Sequence, residues 1–325
     1  MSAITGRAKK HDGTAIDYVS IFNWDDGICI AQVIPNAAGD WHYPYFNDLK
    51  VGITYVSDGC EPITHGAYNF IVPWTPLKIQ PKLYLDADSA VWSGGVGSNI
   101  SAWSDLSDEQ SGFLRYGSVT KTSDGGVAIP SGNNYLYNDT AKARGMLSGI
   151  GKAWIFAVVK LRADNATIFH VTDAANLSPG YNPRLAFQYV GGRFRHNSSR
   201  NVYTTSNQFL SSPAPMNTYH MVLLEHDWQT GRVAWYVNGA LDTFNDNQIT
   251  DKGVTNSSVA NNSIFIGQYA TSNNSVPHDI RTLSVITDKE LTQSDIDKLF
   301  GYAAHKHGLT DKLPANHPYK TDAPT

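Results

Sequence analysis

Short segments in which apolar and polar residues alternate recur along almost the whole chain. The first 72 residues contain AIDYVSIFNW, CIAQVIP, WHYPYF and VGITYV, and the later part contains KAWIFAVVKL, RLAFQYVG, YHMVLLEHD, RVAWYVNG, SIFIGQY and IRTLSVI. Alternation with a period of two places one set of side chains on each face of a β-strand. Glycine, asparagine and aspartate separate these segments, as they do in turns. The pattern therefore predicts an all-β protein built from antiparallel sheets.

Composition and charge exclude several classes of function. The chain has 325 residues, 25 basic and 29 acidic side chains, and a formal net charge of -4. It has no basic block that would neutralise a phosphate backbone, so a nucleic-acid partner is not expected. Its apolar runs are far shorter than the roughly 20 residues that span a bilayer, so membrane insertion is not expected either. The first residues also lack the apolar segment of a secretory signal peptide.

A proline-rich segment, VPWTPLKIQP, separates two regions of strand pattern. Proline fixes φ and removes a backbone donor, so the segment is interpreted as a stiff connector. The predicted division is a small antiparallel sandwich over residues 1–72, a linker over 73–82, a large β-sandwich of jelly-roll type over 83–310, and an extended tail over 311–325.

One helix is predicted near the end of the large domain. Thr292 is placed to cap its N-terminus, Asp295 takes the third position of a capping box, and Gly308 ends the helix. An apolar stripe follows the cap and consists of Ile296, Leu299, Phe300 and Ala303.

The chain has two cysteines, Cys29 and Cys60. Two cysteines exclude a disulfide scaffold, and we expect both to be free, buried thiols. A single bridge between them is the alternative.

The large domain resembles laminin-G-like and concanavalin-A-like domains. The resemblance rests on RVAWYVNGAL preceded by TYHMVLLEHDWQTG, on LYLDAD at 83–88 with SAWSDLS at 101–107, on SIFIGQY, and on DKELTQSDIDKLFGYAAHKHGL followed by LPANHPYK. It covers some three quarters of the chain and implies a large jelly roll. Asp108 stands where the family usually has glycine, so that turn can differ.

The N-terminal region resembles the carboxypeptidase-regulatory, transthyretin-like sandwich of phage structural proteins. VSIFNWDDGICIAQVIPNAAGDW and GITYVSDGCEPITHGAY carry the resemblance, with Ala67 in place of the family's proline. Together the two resemblances imply a phage virion protein, of tail-fibre, receptor-binding or decoration type. Residues 1–72 would contact other virion proteins, and the protein would be made in the host cytoplasm and carried on the particle surface.

Two carboxylate pairs are candidates for catalysis. Asp86 with Asp88, and Glu225 with Asp227, each place two acids on one face of a strand, as a glycoside hydrolase requires. Both pairs adjoin turns whose amides they can bind, so structural roles are expected. The chain has no G-x-S-x-G motif, although a spatial triad would not need one. No catalytic residue is assigned, and a polysaccharide depolymerase is kept as an alternative.

No cofactor or metal is predicted. His305 and His307 are two residues apart on the helix and point to different faces, so they do not chelate one ion readily. The isolated His65, His220 and His278 are expected to be hydrogen-bonded core or turn residues. Calcium would need loop carboxylates, and the candidates are Asp173, Asp242, Asp246 and Asp279, none of which lies in a calcium-loop motif.

A binding site is predicted around the segment GGRFRHNSSR. Sugars stack on aromatic rings and bond to asparagine and arginine, and this segment has both kinds of residue and is the one local basic cluster. The predicted site residues are Tyr189, Arg193, Arg195, His196, Asn197, Arg200 and Tyr203, with Trp228 as a separate aromatic platform. The alternative is a solvated hairpin tip, with Trp228 packed against its turn.

The predicted function is non-enzymatic binding of a host surface glycan or receptor. Because linked weak sites gain avidity, a homo-oligomer is expected, with a trimer as one candidate. A purely structural decoration or spacer role is the first alternative.

Overall fold

A computed structural model describes most of the chain. The described residues are 2–10, 13–23, 28–45, 50–57, 62–69, 74–110, 112–171, 185–199, 207–255, 264–268 and 275–325. They form two compact units, residues 1–74 with 325, and residues 75–324.

The first unit consists of two antiparallel sheets. Its strands are β1 (Ser2–Arg7), β2 (Tyr18–Asn23), β3 (Cys29–Val33), β4 (Asp40–Tyr45), β5 (Lys50–Val56) and β6 (Ile63–Asn69). β1 pairs with β4, and the other four form a sheet in the order β3-β2-β5-β6. Alternate residues of β2 and β5 are buried beside Trp41 in one small core, as the alternating pattern predicts. The core contains Ile16, Val19, Ile21, Trp41, Val51 and Ile53.

The second unit is also built almost entirely from strands. They are β7 (Leu83–Trp92), β8 (Ile100–Asp105), β9 (Phe113–Tyr116), β10 (Thr120–Lys121), β11 (Val127–Ile129), β12 (Tyr135–Asn138), β13 (Lys152–Leu161), β14 (Ala166–Val171), β15 (Leu185–Val190), β16 (Arg193–Ser198), β17 (Asn207–Pro213), β18 (Tyr219–Asp227), β19 (Val233–Val237), β20 (Ala240–Asn245), β21 (Ile264–Ile266) and β22 (His278–Thr287). The helices of this unit are α1 (Ala141–Gly145) and α2 (Gln293–His307).

These strands form one continuous antiparallel sheet that folds over on itself. The order is β17-β16-β15-β14-β21-β12-β9-β8-β7-β22-β13-β18-β19-β20, with β10 and β11 joined at β22. Trp235 of β19 lies 5.4 Å from Phe187 of β15 between ring centroids, so strands far apart in the order face each other across the core. We call β17 to β8 the front layer and β7 to β20 the back layer. The prediction of an all-β protein with a large jelly-roll sandwich is confirmed.

The helix α2 covers the outer face of the back layer. In β13 the residues Ile155 and Ala157 point into the sandwich core, whereas Phe156 points outward. Phe156 meets Phe300 of α2 edge to face, with ring centroids 5.4 Å apart. Burial on both faces explains why β13 has an almost continuous apolar sequence.

The predicted helix ends are confirmed. Thr292 and Asp295 form a reciprocal capping box, and Gly308 ends the helix with φ of 67°. The predicted stripe of Ile296, Leu299, Phe300 and Ala303 is buried. The structure adds α1, a five-residue helix that the sequence pattern did not predict.

The linker, predicted as a stiff connector, and the tail, predicted as extended, both contain a 3-10 helix. Pro76–Ile79 form a 3-10 helix whose Ile79 is buried and whose Ile79 carbonyl accepts a hydrogen bond from Lys289. Thr310–Lys312 form a second 3-10 helix. The Lys320 ammonium donates to the carbonyls of Thr310, at 2.7 Å, and Leu313, at 2.8 Å. Hydrogen bonds therefore fold both segments, a long-range one from Lys289 for the linker and local ones from Lys320 for the tail, although their proline content favours extended backbone.

Cys29 is a free thiol, as predicted, but its side chain is exposed. The prediction of burial was wrong for Cys29 because β3 is an edge strand of its sheet. Cys60 lies outside the described residues. No helix in the described part of the chain is long and apolar enough to cross a membrane.

Candidate functional site

The predicted basic cluster lies on the β15–β16 hairpin. Gly191 and Gly192 turn this hairpin with positive φ, and the carboxylate of Asp164 accepts hydrogen bonds from both of their amides. Arg193 is exposed beside the turn. Arg195 is half-buried, and its guanidinium donates to the side-chain oxygen of Gln188 at 2.8 Å. The hairpin thus presents one exposed cation and one that is already hydrogen-bonded.

Three of the predicted site residues lie in the core. Tyr189, His196 and Trp228 are buried, so they cannot contact a ligand from solvent, and this part of the prediction was wrong. The reason is the period of two along β16, which turns His196 inward, whereas its neighbours Arg195 and Asn197 remain partly exposed. Arg200 and Tyr203 lie outside the described residues.

The buried histidines belong to a polar cluster between the two layers. Ser198 Oγ lies 2.6 Å from His226 Nε2, and the His196 and His226 rings are 5.0 Å apart. Trp228 packs on His226, with ring centroids 4.1 Å apart. Burial lowers the pKa of His196 to about 3 and that of His226 well below its ordinary value. Both imidazoles are therefore neutral and out of reach of substrate, although a serine bonded to a histidine otherwise suggests a nucleophile.

The first carboxylate pair is held by a lysine of α2. The Lys306 ammonium lies 2.9 Å from Asp86 Oδ1 and 3.1 Å from Asp88 Oδ2. Burial disfavours this charge, but the hydrogen bond to Asp86 and the charge of Asp86 outweigh burial and raise the pKa of Lys306. Asp86 is only 1% exposed. The pair therefore attaches α2 to β7, as the expected structural role requires.

The second carboxylate pair is also paired with cations. Glu225 accepts from Lys152 at 3.0 Å and from Arg232 at 3.1 Å, and Asp227 lies 3.8 Å from the same lysine. Burial opposes the charge of Arg232, but hydrogen bonds to Asp246 and Glu225 raise its pKa. All four carboxylates of the two pairs therefore lie within 4 Å of a cation.

Two of the isolated histidines, His220 and His278, are hydrogen-bonded as expected. His220 Nε2 lies 2.8 Å from the Pro215 carbonyl, and His278 Nδ1 lies 2.7 Å from the Val276 carbonyl. His305 and His307 have different partners, the Tyr319 carbonyl and the Thr282 hydroxyl. His65 lies in β6.

The calcium candidates do not converge. Asp242 accepts from the Ser212 amide, Asp246 pairs with Arg232, and Asp279 pairs with Arg162 and Lys160. Asp173 lies outside the described residues. Within the described residues, no group of three or more His, Cys, Asp or Glu side chains could hold a metal ion.

A surface that the sequence did not reveal lies on the outward face of the front layer. Four aromatic side chains from β9, β12 and β21 meet there, and we call them the tyrosine face: Tyr116, Tyr135, Tyr137 and Phe265. The Tyr116 and Tyr135 rings are stacked, with centroids 4.8 Å apart and an interplanar angle of 15°. Tyr135 also meets Tyr137 at 6.1 Å and Phe265 at 5.7 Å, edge to face in both cases.

The tyrosine face is open to solvent and uncharged. Tyr116 is 47% exposed, and the other three rings are half-buried. None of the three tyrosine hydroxyls bonds to another group within the described residues. Burial, and then the neighbouring Tyr116 and Tyr137, raise the pKa of Tyr135, so its hydroxyl keeps its proton. The face therefore offers apolar rings with free hydroxyls at their tips.

The alternation of tyrosines in YLYN was the available signal for this face. It places Tyr135 and Tyr137 on one side of a strand, but it does not show which strands lie beside them. Tyr116 and Phe265 come from segments 19 and 130 residues away in the chain, and only the strand register brings them together.

Comparison with known proteins supports the fold. No protein-family model and no curated protein sequence matches this chain. The binding domain of botulinum neurotoxin serotype D is a structural neighbour, with a TM-score of 0.50 and 14% identity over 68% of this chain and 50% of that chain. The serotype D/C VPI 5993 binding domain follows with a TM-score of 0.48 and 12% identity, covering 68% of this chain and 51% of that chain.

A third structure is the botulinum neurotoxin serotype D ligand binding domain in complex with N-acetylneuraminic acid. It has a TM-score of 0.45 and 14% identity, and the match covers 66% of this chain and 51% of that chain. The chain thus spans about half the length of these structures. At such identities the likeness shows a shared β-sandwich fold alone. Each of the three is named as a binding domain.

Proposed function

We propose that this protein is a non-enzymatic glycan-binding protein and that the tyrosine face is its binding surface. The observation that carries the proposal is the meeting of three tyrosines and Phe265 on one open, outward face of the front layer. A side chain with an apolar ring and a polar tip suits a sugar, whose ring has apolar C–H faces and a rim of hydroxyls.

The energetics suit a weak single site. Even a pair of aromatic rings contributes only roughly 0.5–1.5 kcal/mol beyond the area that it buries, so a sugar on a few rings binds with modest affinity. Several copies of a weak site on one assembly bind far more tightly than one copy. This favours the predicted homo-oligomer as the functional form.

A depolymerase is the less favoured function. Each candidate pair of carboxylates is held by a lysine or an arginine at about 3 Å, and Asp86 is buried. A glycosidase needs one carboxyl that keeps a proton beside a second, ionised one, and a cation at contact distance opposes such protonation.

We further propose a phage particle as the setting of this function. The resemblance of residues 1–72 to phage structural domains supports it, and this unit would then attach to other virion proteins. The measurement is detection of this chain in purified particles by mass spectrometry. Its absence from particles that carry the other structural proteins would refute the setting, but would leave glycan binding intact.

The proposed function is tested by glycan-array binding of the full chain and of three variants. Tyr116→Ala and Tyr137→Ala each remove one ring of the tyrosine face, and we expect each to weaken binding about tenfold, equivalent to about 1.4 kcal/mol. Phe244→Ala is the matched control, because Phe244 is 51% exposed on the back layer. A folded protein that binds no glycan, or that loses binding equally in the control, would contradict the proposal.

A further inference from the structure

The strands beside the tyrosine face extend it into a longer apolar surface. Strand register places five side chains opposite one another in a single row, which crosses the front layer and ends on the adjoining strand β7: Val91, Ala102, Leu114, Tyr137 and Phe265. Tyr116 and Tyr135 form a second, parallel pair beside this row. We call the five residues from Val91 to Phe265 the apolar row.

The apolar row is open along its length. Val91 is 50% and Leu114 is 53% exposed, whereas Ala102, Tyr137 and Phe265 are half-buried. Four strand spacings of about 4.8 Å separate its ends, so the row is about 19 Å long. Soluble proteins rarely expose large contiguous apolar patches, and those that are exposed often mark a binding surface.

The apolar row and the pair of Tyr116 and Tyr135 contain no aspartate, glutamate, histidine, lysine or arginine. The arginines of the β15–β16 hairpin lie farther along the same layer, and buried side chains of β14 and β15 separate them from Phe265. Those side chains are His170 and Ala186, which continue the register from Phe265. Arg193 and Arg195 are therefore not contiguous with the open apolar part of the face.

We infer that the ligand of this surface is a neutral, extended polysaccharide whose chain runs across the strands along the apolar row. The inference rests on the proposed function and names its ligand class. Val91, Ala102 and Leu114 offer no hydrogen bond, so they can only contact the C–H face of a sugar ring. A linear chain whose hydroxyls are equatorial presents such a face on each successive ring.

An acidic polysaccharide fits this surface poorly. Bringing a carboxylate or sulfate against Leu114 and Tyr137 removes it from water without supplying a cation, and a charge without a counter-charge is expensive to desolvate. The cations Arg193 and Arg195 would instead favour an acidic ligand, so the two surfaces predict opposite ligands.

Salt dependence separates the two ligand classes. Contacts between apolar faces do not weaken as salt screens charge, whereas an arginine-based site does. Affinity for a neutral chain on the row also rises with chain length until the chain covers about 19 Å, because each added ring contacts another strand.

The experiment is calorimetric titration of the full chain with two probes, a linear β-1,4-glucan hexamer and a polygalacturonate hexamer, at 50 mM and 500 mM NaCl. We expect the neutral hexamer to bind with less than a twofold change between the salts, and the acidic one to bind at least tenfold more weakly. Leu114→Ser should weaken binding of the neutral hexamer about fivefold or more. Leu241→Ser alters a comparably exposed leucine of the back layer and should leave this binding unchanged.

The outcomes separate this inference from the proposed function. Preference for the acidic hexamer, with loss of binding at high salt and in Arg193→Ala, would overturn the neutral ligand while leaving a glycan-binding protein. A second outcome is binding to other glycans on the array that Tyr137→Ala abolishes and Leu114→Ser does not change. This would confine the site to the tyrosine face and would also overturn the extended row. Binding to no glycan at all would overturn both proposals.

Discussion

At the scale of single residues, one step along a strand decides whether a side chain meets solvent or the core. In β16, Arg195 and Asn197 are partly exposed, whereas the residue that follows each of them, His196 and Ser198, is buried. A cluster that is basic in sequence therefore becomes two different structures, a short polar edge outside and a neutral imidazole cluster inside. The buried histidines matter for stability, because their proton equilibria differ between the folded and unfolded chain.

Acid should destabilise the large unit through these histidines. In the unfolded chain His196 binds a proton near pH 6.5, but in the folded protein burial lowers its pKa to about 3. Between these values the unfolded state binds more protons, so the free energy of unfolding falls as the pH falls from about 6.5 toward 3. Each such histidine contributes a slope of up to about 1.4 kcal/mol per pH unit.

The measurement is urea unfolding at several values between pH 5.5 and pH 7, which lie above the ordinary carboxylate range. His196→Leu should reduce the slope, whereas His305→Gln, on the half-exposed side of α2, should leave it closer to that of the original protein. An unchanged slope in His196→Leu would show that His196 does not carry the effect.

At the scale of elements, α2 depends on its N-terminal cap. The Thr292 hydroxyl accepts from the Asp295 amide at 3.2 Å, and the Asp295 carboxylate accepts from the Thr292 amide at 3.0 Å. Thr292→Ala removes one of these bonds and should lower the free energy of unfolding by about 1 kcal/mol. Ser294→Ala, two residues later on the exposed surface, is the control and should change it by less than half of that. Equal effects of the two substitutions in urea unfolding would contradict the capping role.

Elements with local signals could be predicted from sequence, and elements stabilised by distant contacts could not. The cap, stripe and terminating Gly308 of α2 all lie within 17 residues of one another, so the sequence contains the whole argument. The 3-10 helix at Pro76–Ile79 depends instead on a contact with Lys289, more than 200 residues away. The same limit applies to the candidate site, since YLYN shows two tyrosines on one face but not that Tyr116 and Phe265 flank them.

At the scale of the whole molecule, the jelly roll is closed by contacts between its first strand and its last helix. β7 pairs with β22, and the Lys306 ammonium of α2 lies against Asp86 of β7. Tyr84 and Thr282 also bond to the Asp86 carboxylate, at 3.3 Å and 3.5 Å. This buried carboxylate thus connects the start of the large unit with its end.

Removing the lysine should destabilise the large unit as a whole. Lys306→Met keeps the length of the side chain but leaves Asp86 buried without its cation, and losing one partner of a buried pair costs about 3–5 kcal/mol. Lys298→Met is the matched control on the same helix. Hydrogen exchange should therefore accelerate in both β7 and β22 in Lys306→Met but not in the control. Faster exchange confined to the last turn of α2 would show that the ion pair holds only the helix end and does not close the jelly roll.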